Sequence, residues 1–435
     1  MKKKVIGVLL AALMMTASLA ACSGAQNTAE VTQTSVTTAI AQNQTATQSA
    51  QTATQAQSSS DFSGVVTTAN VTSGGAINAS ELFTERDLTQ NADTSSATSY
   101  TLTDNNTITI TEAGVYVLTG SASNATVIVD APDDAKVQLV LNGVTVNNTS
   151  APAIYVKSAD KVFVTTAQGT ENTLNVTGAF TADGETNTDA VIFSKDDLVL
   201  NGLGTLNITS SDNGISGKDD IKITGGTINI TSTSDAIEAN DSIAIADGTV
   251  NITSQKDGLH AENDEDNSTG YIYICGGTIN IEASGDGVQG TTVVQIDGGT
   301  ITVNGSEGIE ATYVQINGGT ITVNAYDDGI NASAKSTAYT VTVEINGGDI
   351  TINMAQGDTD GVDSNGNLYI NGGTISINAQ SPFDYDGTAQ HNGGTIIVNG
   401  TETNEITNQM MGGSMMGGGM GGPGGMGGGM MGGFR

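Results

Sequence analysis

Glu307-Gly308-Ile309-Glu310-Ala311-Thr312-Tyr313-Val314-Gln315-Ile316-Asn317-Gly318-Gly319-Thr320-Ile321-Thr322-Val323 is the cleanest copy of a phrase that recurs along the second half of this 435-residue chain. Its parts return as Thr224-Gly225-Gly226-Thr227-Ile228-Asn229-Ile230, Ala246-Asp247-Gly248-Thr249-Val250, Cys275-Gly276-Gly277-Thr278-Ile279 and Asp297-Gly298-Gly299-Thr300-Ile301, and then as Asn346-Gly347-Gly348, Asn371-Gly372-Gly373 and Asn392-Gly393-Gly394. A repeat of roughly 20 to 30 residues is the signature of a solenoid, in which each coil buries its apolar face by stacking on its neighbours.

Each part of the phrase has a local reading. After the glycines, Thr-Ile-x-Ile/Val alternates with period two and is β-branched, as in a half-buried strand. The glycines supply the backbone angles of a tight bend. Before the bend another aliphatic recurs: Ile223, Ile245, Ile274, Ile296, Ile316, Ile345 and Ile370. No helix-period segment of useful length interrupts residues 100–400. These features predict an all-β fold, a right-handed, single-stranded parallel β-helix, with aliphatic rows filling the interior and coils about 4.8 Å apart. Asn317, Asn346, Asn371 and Asn392 are expected to form an amide ladder at the bend. Weaker copies, such as Leu141-Asn142-Gly143 and Leu198-Val199-Leu200-Asn201-Gly202, extend the helix back to residue 100.

The ends differ in character. Lys2, Lys3 and Lys4, the apolar run Val5 to Leu13 and Leu19-Ala20-Ala21-Cys22 read as an export signal whose last four residues resemble a bacterial lipobox. This predicts cleavage before Cys22, lipidation of its sulfur and anchoring at the bacterial cell surface without a membrane span. Residues 22–61 are a Ser/Thr/Gln-rich tether too polar to repay its ordering entropy. Residues 62–99 are expected to cap the helix, 100–405 to form it, and 406–435 to be a Gly/Met tail holding eight of the twelve methionines. Cleavage would leave Cys275 as the only other cysteine, so the mature chain can form no intrachain disulfide.

The formal charge is −33, and loss of residues 1–21, which carry three lysines and no acid, makes it −36. Such a surface excludes nucleic acid, and it meets an anionic polymer only through a cation. The chain is expected to be monomeric.

A second element lies between the bends: acid, small residue, aliphatic, polar. It reads Asp235-Ala236-Ile237-Glu238, Asp257-Gly258-Leu259-His260, Asp286-Gly287-Val288-Gln289, Glu307-Gly308-Ile309-Glu310, Asp328-Gly329-Ile330-Asn331 and Asp360-Gly361-Val362-Asp363. Asp384 enters by aligning Ser381-Pro382-Phe383-Asp384 with the last of these. In register the acids stack one per coil. Carboxylates about 5 Å apart repel by about 3 kcal/mol per pair at an effective dielectric of 20. Protonation or a cation between coils relieves this, and several hard oxygens on irregular geometry suit Ca²⁺. The candidate ligands are Asp235, Glu238, Asp257, Asp286, Glu307, Glu310, Asp328, Asp360, Asp363 and Asp384. The plainer alternative is that these acids accept turn N–H bonds and face solvent.

With those residues in view, the Asp-Gly-Ile-x-Ala and Asn-Gly-Gly-Thr-Ile patterns resemble a family of bacterial surface lipoproteins, the carbohydrate-binding domain-containing proteins, over roughly residues 80–405. The resemblance implies a calcium-binding β-helix shaped like pectate lyases that binds polygalacturonate and cellulose. Insertions such as 262–269 keep it from assigning single ligands.

Three functions remain open on the residues alone. A binding module would hold acidic polysaccharide through Ca²⁺; Tyr313, Tyr326 and Tyr339 are more readily packing residues than a platform for neutral sugar. A calcium-dependent lyase needs a basic residue to take the α-proton. Lys256 and His260, flanking Asp257, are the candidates, against an expectation of a Lys256–Asp257 ion pair. No catalytic pair stands out among the acids. The third possibility is a passive adhesin or scaffold.

Overall fold

The computed structural model describes residues 75–408 apart from 264 and 358, all within one compact unit, Asp61–Arg435. Cys22, the signal peptide, the tether and tail residues 409–435 lie outside the described residues.

The period-two segments form strands. In the first coils one long strand such as Lys136–Asn148 spans two faces, whereas from Ile154 onward each coil contributes three. In the phrase quoted above they are Ile309–Ala311, Tyr313–Ile316 and Thr320–Ala325. Each pairs in parallel, residue for residue, with its equivalent one coil on: Ile309 with Ile330, Val314 with Val343 and Ile321 with Ile350. Stacking builds three long faces, one of them a twelve-stranded sheet from Thr107–Ile110 to Ser381–Tyr385. The fold is a parallel β-helix. Its interior is the set of aliphatic rows, with Ile301, Val303, Ile309, Val314 and Ile316 all buried. One coil to the next is a step of 18 to 38 residues, and the long steps carry the insertions.

The bend needs its glycines. Gly319 sits at φ +96°, a region L side chains avoid, and a Cβ on Gly318 would meet the Asp297 carbonyl at 2.6 Å. The amide ladder forms as expected: Asn346 Nδ2 donates to Asn317 Oδ1, Asn371 to Asn346 and Asn392 to Asn371, each at 2.8 Å. A second ladder, not anticipated, follows the outward position of the Thr-Ile-Asn-Ile strand, Asn229 to Asn207, Asn251 to Asn229 and Asn280 to Asn251.

Of the segment expected to cap the helix, 62–99, residues 75–90 lie along a flank instead. Ala76 and Ile77 donate backbone N–H bonds to Gln315 and Gln295 (2.8 and 2.7 Å). Further along, Gln90 Nε2 donates to the Thr224 carbonyl, and Arg86 stacks over Phe163. Ile77, Leu82, Phe83 and Leu88 pack on Ala244, Ala246, Tyr273 and Cys275. The outward residues of these strands are small, aromatic or amide, which leaves a dry strip for the strap to cover. At the far end Thr401–Thr403 pairs antiparallel with Thr395–Val398 and closes an open edge. Among the described residues no helix is long and apolar enough to cross a membrane.

Candidate functional site

The twelve-stranded face carries the acids. Its strands are short because the glycine or alanine after each acid brings neighbouring backbones close: the Gly258 N–H donates to the Asp286 carbonyl and Gly287 to that of Glu307. A Cβ on Gly308 would meet the Gly329 carbonyl at 2.3 Å. The aliphatic member points inward, while the acid two places before it and the polar residue directly after it line one furrow. Its polar line runs in register through Ser216, Glu238, His260, Gln289, Glu310, Asn331, Asp363 and Asp384. The alignment that placed Asp384 beside Asp363 matches this pairing. Upstream the line becomes Phe193 and Tyr155, so the polar furrow starts where the apolar residues stop.

The acid line is linked coil to coil by its own backbone. The N–H of Asp257 donates to Asp235 Oδ1 at 2.9 Å, Asp286 to Asp257 at 2.7 Å, Glu307 to Asp286 at 3.3 Å and Asp360 to Asp328 at 3.2 Å. The acids therefore do accept turn N–H bonds, yet they do not face solvent. Asp235 and Glu310 are buried, and Asp257, Asp286, Glu307, Asp328, Asp360, Asp363 and Asp384 are half-buried.

The furrow relieves its charge differently along its length. At its start Asp235 Oδ2 lies 3.3 Å from the Lys256 ammonium and 3.6 Å from His260 Nδ1. The expected Lys256–Asp257 pair is thus displaced by one coil, because Lys256 reaches back to the more buried acid. Burial pushes the Asp235 carboxyl up, but hydrogen bonds from His260 and Asp257 and the charges of His260 and Lys256 hold it below its ordinary value. Burial would lower the His260 pKa, and the surrounding Asp235, Asp257 and Glu262 raise it instead. Glu238 takes Asn213 Nδ2 at 2.7 Å and Ser216 Oγ at 3.3 Å.

Downstream the cations run out. Asp286, Glu307 and Glu310 bring ligand oxygens within 4.8 Å of one another. Burial, then Asp257 and Glu310, push Asp286 up to about 7; burial and Glu310 push Glu307 to about 8. Asp328 is raised to about 6 and Asp363 to about 7, in both cases first by burial and then by neighbouring acids, Asp327 and Asp360 on the former and Asp328 and Asp384 on the latter. Backbone N–H groups, amide and hydroxyl donors and Lys335 answer these carboxylates among the described residues: beside the chain N–H bonds to Asp286 and Asp328, Gln289 Nε2 bridges Asp286 (3.0 Å) and Glu310 (2.8 Å), and Asn331 Nδ2 reaches Glu307 at 2.9 Å. Asn331 is 7% exposed, and the Oδ1 of that amide has no hydrogen-bond partner, nor does Asp384 Oδ1. A buried acceptor beside crowded carboxylates is what a hard cation would complete.

The structure gathers the ten predicted acids on one face, in two lines, the acid of each repeat and the polar residue three places on, as the repeat implies. The sequence reading missed Asn213, Gln289 and Asn331 as donors, although each stands at a repeat position of the acid or polar line. It also missed a second cluster, Asp197, Asp219 and Asp220, at the entry to the neighbouring face, where burial and nearby acids push Asp219 up to about 7. The signal was present in Asp197 and Asp220, each opening a strand and followed by Leu-Val-Leu or Ile-Lys-Ile. The 262–269 insertion walls an open polar cleft of ≈ 680 Å³ beside the furrow, lined by Lys218, Glu238, Asp241, Glu262 and Asp266 among others. Tyr313 packs near Tyr339 and bonds Glu344, while Tyr326, 54% exposed, donates to the Ser284 carbonyl.

A parallel β-helix with a buried, acid-lined furrow belongs to the class of solenoid proteins that offer one long face to a ligand. Comparison with known proteins is specific about which. The family model for carbohydrate-binding domain-containing proteins matches residues 104–358 and 305–409, and the chain belongs to that family. A carbohydrate-binding domain-containing protein of Acetivibrio thermocellus is 34% identical over 122 residues, 27% of this chain and 43% of the relative; the match thus spans less than half of that relative's length. A solved structure of the polysaccharide lyase-like protein from C. thermocellum, a gadolinium derivative, is 26% identical with a TM-score of 0.43, over 60% of this chain and 98% of that one.

Proposed function

We propose that this protein binds acidic polysaccharide, of the polygalacturonate type, through Ca²⁺ ions held in the furrow. The observation that carries it is the Asp286–Glu307–Glu310 cluster, where buried and half-buried carboxylates are relieved, among the described residues, only by protonation, neutral N–H and O–H donors and one lysine. Asp286, Glu307, Glu310 and Asn331 would hold one ion, and the acids further down the furrow, from Asp328 to Asp384, extend the same anionic face. Calcium would supply an open coordination position for a polymer carboxylate, which an acidic protein repels without it. Family membership supports a glycan partner.

A binding role is better supported than a lyase. A proton-abstracting lysine or histidine must be available without its proton. The Asp235 charge raises the Lys256 pKa, and the acids around His260 raise its pKa, so both are shifted away from the proton-free form that a base needs. Export and lipidation at Cys22 belong to the same proposal, placing the furrow at a cell surface on a tether. Radiolabelled palmitate incorporation lost in Cys22→Ala tests the anchor. Calorimetric titration with calcium, then with polygalacturonate in calcium or chelator, tests the site. Heat from both, with glycan binding lost in chelator, is expected. Calcium uptake without glycan binding would leave a metal-stapled scaffold, and no calcium uptake would sink the proposal.

A further inference from the structure

We infer that Lys335 is a tethered cation that occupies the Asp286–Glu307–Glu310 site until a metal ion displaces it, and that its release unlatches the loop 333–341 from the furrow. This deepens the calcium reading above and rests on it.

The geometry is specific to one coil. The Lys335 ammonium lies 2.8 Å from Glu310 Oε2, and the Glu310 side chain is 7% exposed. Gln289 Nε2 takes the same oxygen at 2.8 Å, and Ser333 Oγ takes Oε1, also at 2.8 Å. Glu310 is therefore surrounded by donors, two of them from the loop that follows the strand Asp328–Ala332. A divalent ion binds carboxylate oxygen at about 2.4 Å. Placed among Asp286, Glu307 and Glu310 it would lie against the ammonium, so the two cations compete for one position.

The amides are placed to follow the exchange. Asn331 now turns Nδ2 to Glu307, while its buried Oδ1 is unpartnered. A half-turn of that amide presents oxygen to an ion and withdraws the N–H that an ion would repel. Gln289 can make the same turn. The unpartnered Asn331 oxygen is thus a second sign of a ligand, independent of the acid cluster itself.

Release would reach beyond the site. Loop 333–341 holds its place through the Lys335 and Ser333 bonds to Glu310, the Lys335 and Ser336 N–H bonds to Thr312 Oγ1, and contacts of Ser336 and Thr337 with Asn267 on the other long insertion. The two insertions are latched together beside the furrow. Loss of the Glu310 bonds frees one side of that latch, so metal uptake precedes and promotes access of a polymer to the ion. At the start of the furrow Lys256 and His260 sit on Asp235, a buried acid that also binds the chain N–H of Asp257, and the same exchange is not set up there.

The test uses the mature chain with calcium chloride alone. Acetylation of each lysine by a limiting amine reagent is followed by mass spectrometry in chelator and in saturating calcium, with Lys136 as internal reference. Lys335 is expected to react at least about 5-fold faster with calcium, Lys256 at an unchanged rate. Calorimetry should show one calcium site about 10-fold tighter in Lys335→Met, and Lys335→Gln serves if that variant folds poorly. Calcium bound with Lys335 reactivity unchanged overturns the inference, even where Lys335→Met binds more tightly, because through-space charge alone would give that result. No calcium uptake overturns it together with the proposed function.

Discussion

Asp286 and Glu307 carry a large share of the pH dependence of this protein. Their folded-state pKa values, about 7 and 8, lie above those of unfolded carboxylates. A carboxyl raised in the folded state binds more protons there, so its stabilising contribution is complete at pH below its unfolded pKa and is lost as pH rises through the folded one. We therefore expect the metal-free protein to lose thermal stability between about pH 5 and 8.5, and calcium to remove most of that loss. Scanning calorimetry at both pH values in chelator and in calcium checks this; a flat metal-free profile would mean that the furrow acids are ordinary. The double variant Asp286→Asn, Glu307→Gln should make it shallower, leaving the part due to Asp219, Asp328 and Asp363. Asp235 behaves oppositely, its lowered pKa giving stability that disappears as pH falls through it. Asp235→Ala strands the Lys256 and His260 charges and the Asp257 N–H, and should cost about 3 kcal/mol by denaturant titration. At this scale the acids were legible in the sequence because the repeat marks them. Their burial and their partners were not, since Lys256 could reach Asp257 or Asp235 and only the coil spacing decides.

Strands and bends were the most legible elements, for a physical reason. Register in a solenoid is fixed by repetition, so one correctly read coil predicts the next, as Asn317, Asn346, Asn371 and Asn392 show. Ile330→Ala, in the fully buried row, should cost about 3 kcal/mol. Asn346→Ala, which breaks two exposed amide bonds in the ladder, should cost about 1 kcal/mol. Urea midpoints of the two variants test whether aliphatic rows outweigh polar ladders here; equal costs would contradict it. What repetition cannot encode is whatever breaks it. The 75–90 strap and the 333–341 loop occur once each, and their docking depends on side chains brought near by coils far away in sequence, such as Gln315 for Ala76 and Asn267 for Ser336.

The whole molecule confronts its partner as a polyanion, and this sets how calcium must act on the proposed binding. A bridging ion has to be shared between furrow and polymer, so too little calcium leaves two like charges facing each other. Too much gives every protein site and every polymer carboxylate an ion of its own, and the number of bridges falls. Retention of polygalacturonate should therefore pass through a maximum as calcium rises. Magnesium should retain it at least about 10-fold more weakly, because Mg²⁺ demands octahedral geometry and gives up water reluctantly, whereas the furrow offers irregular oxygens on separate coils. Monovalent salt at 0.5 M should weaken the bridged complex only partly, since buried pairs are screened far less than exposed ones. Affinity electrophoresis through immobilised polymer across a calcium series measures all three. A plateau without a maximum would mean that calcium staples the protein's own coils and that the polymer is held elsewhere. Equal retention with magnesium would mean that diffuse charge neutralisation, not coordination in the furrow, brings the two polyanions together.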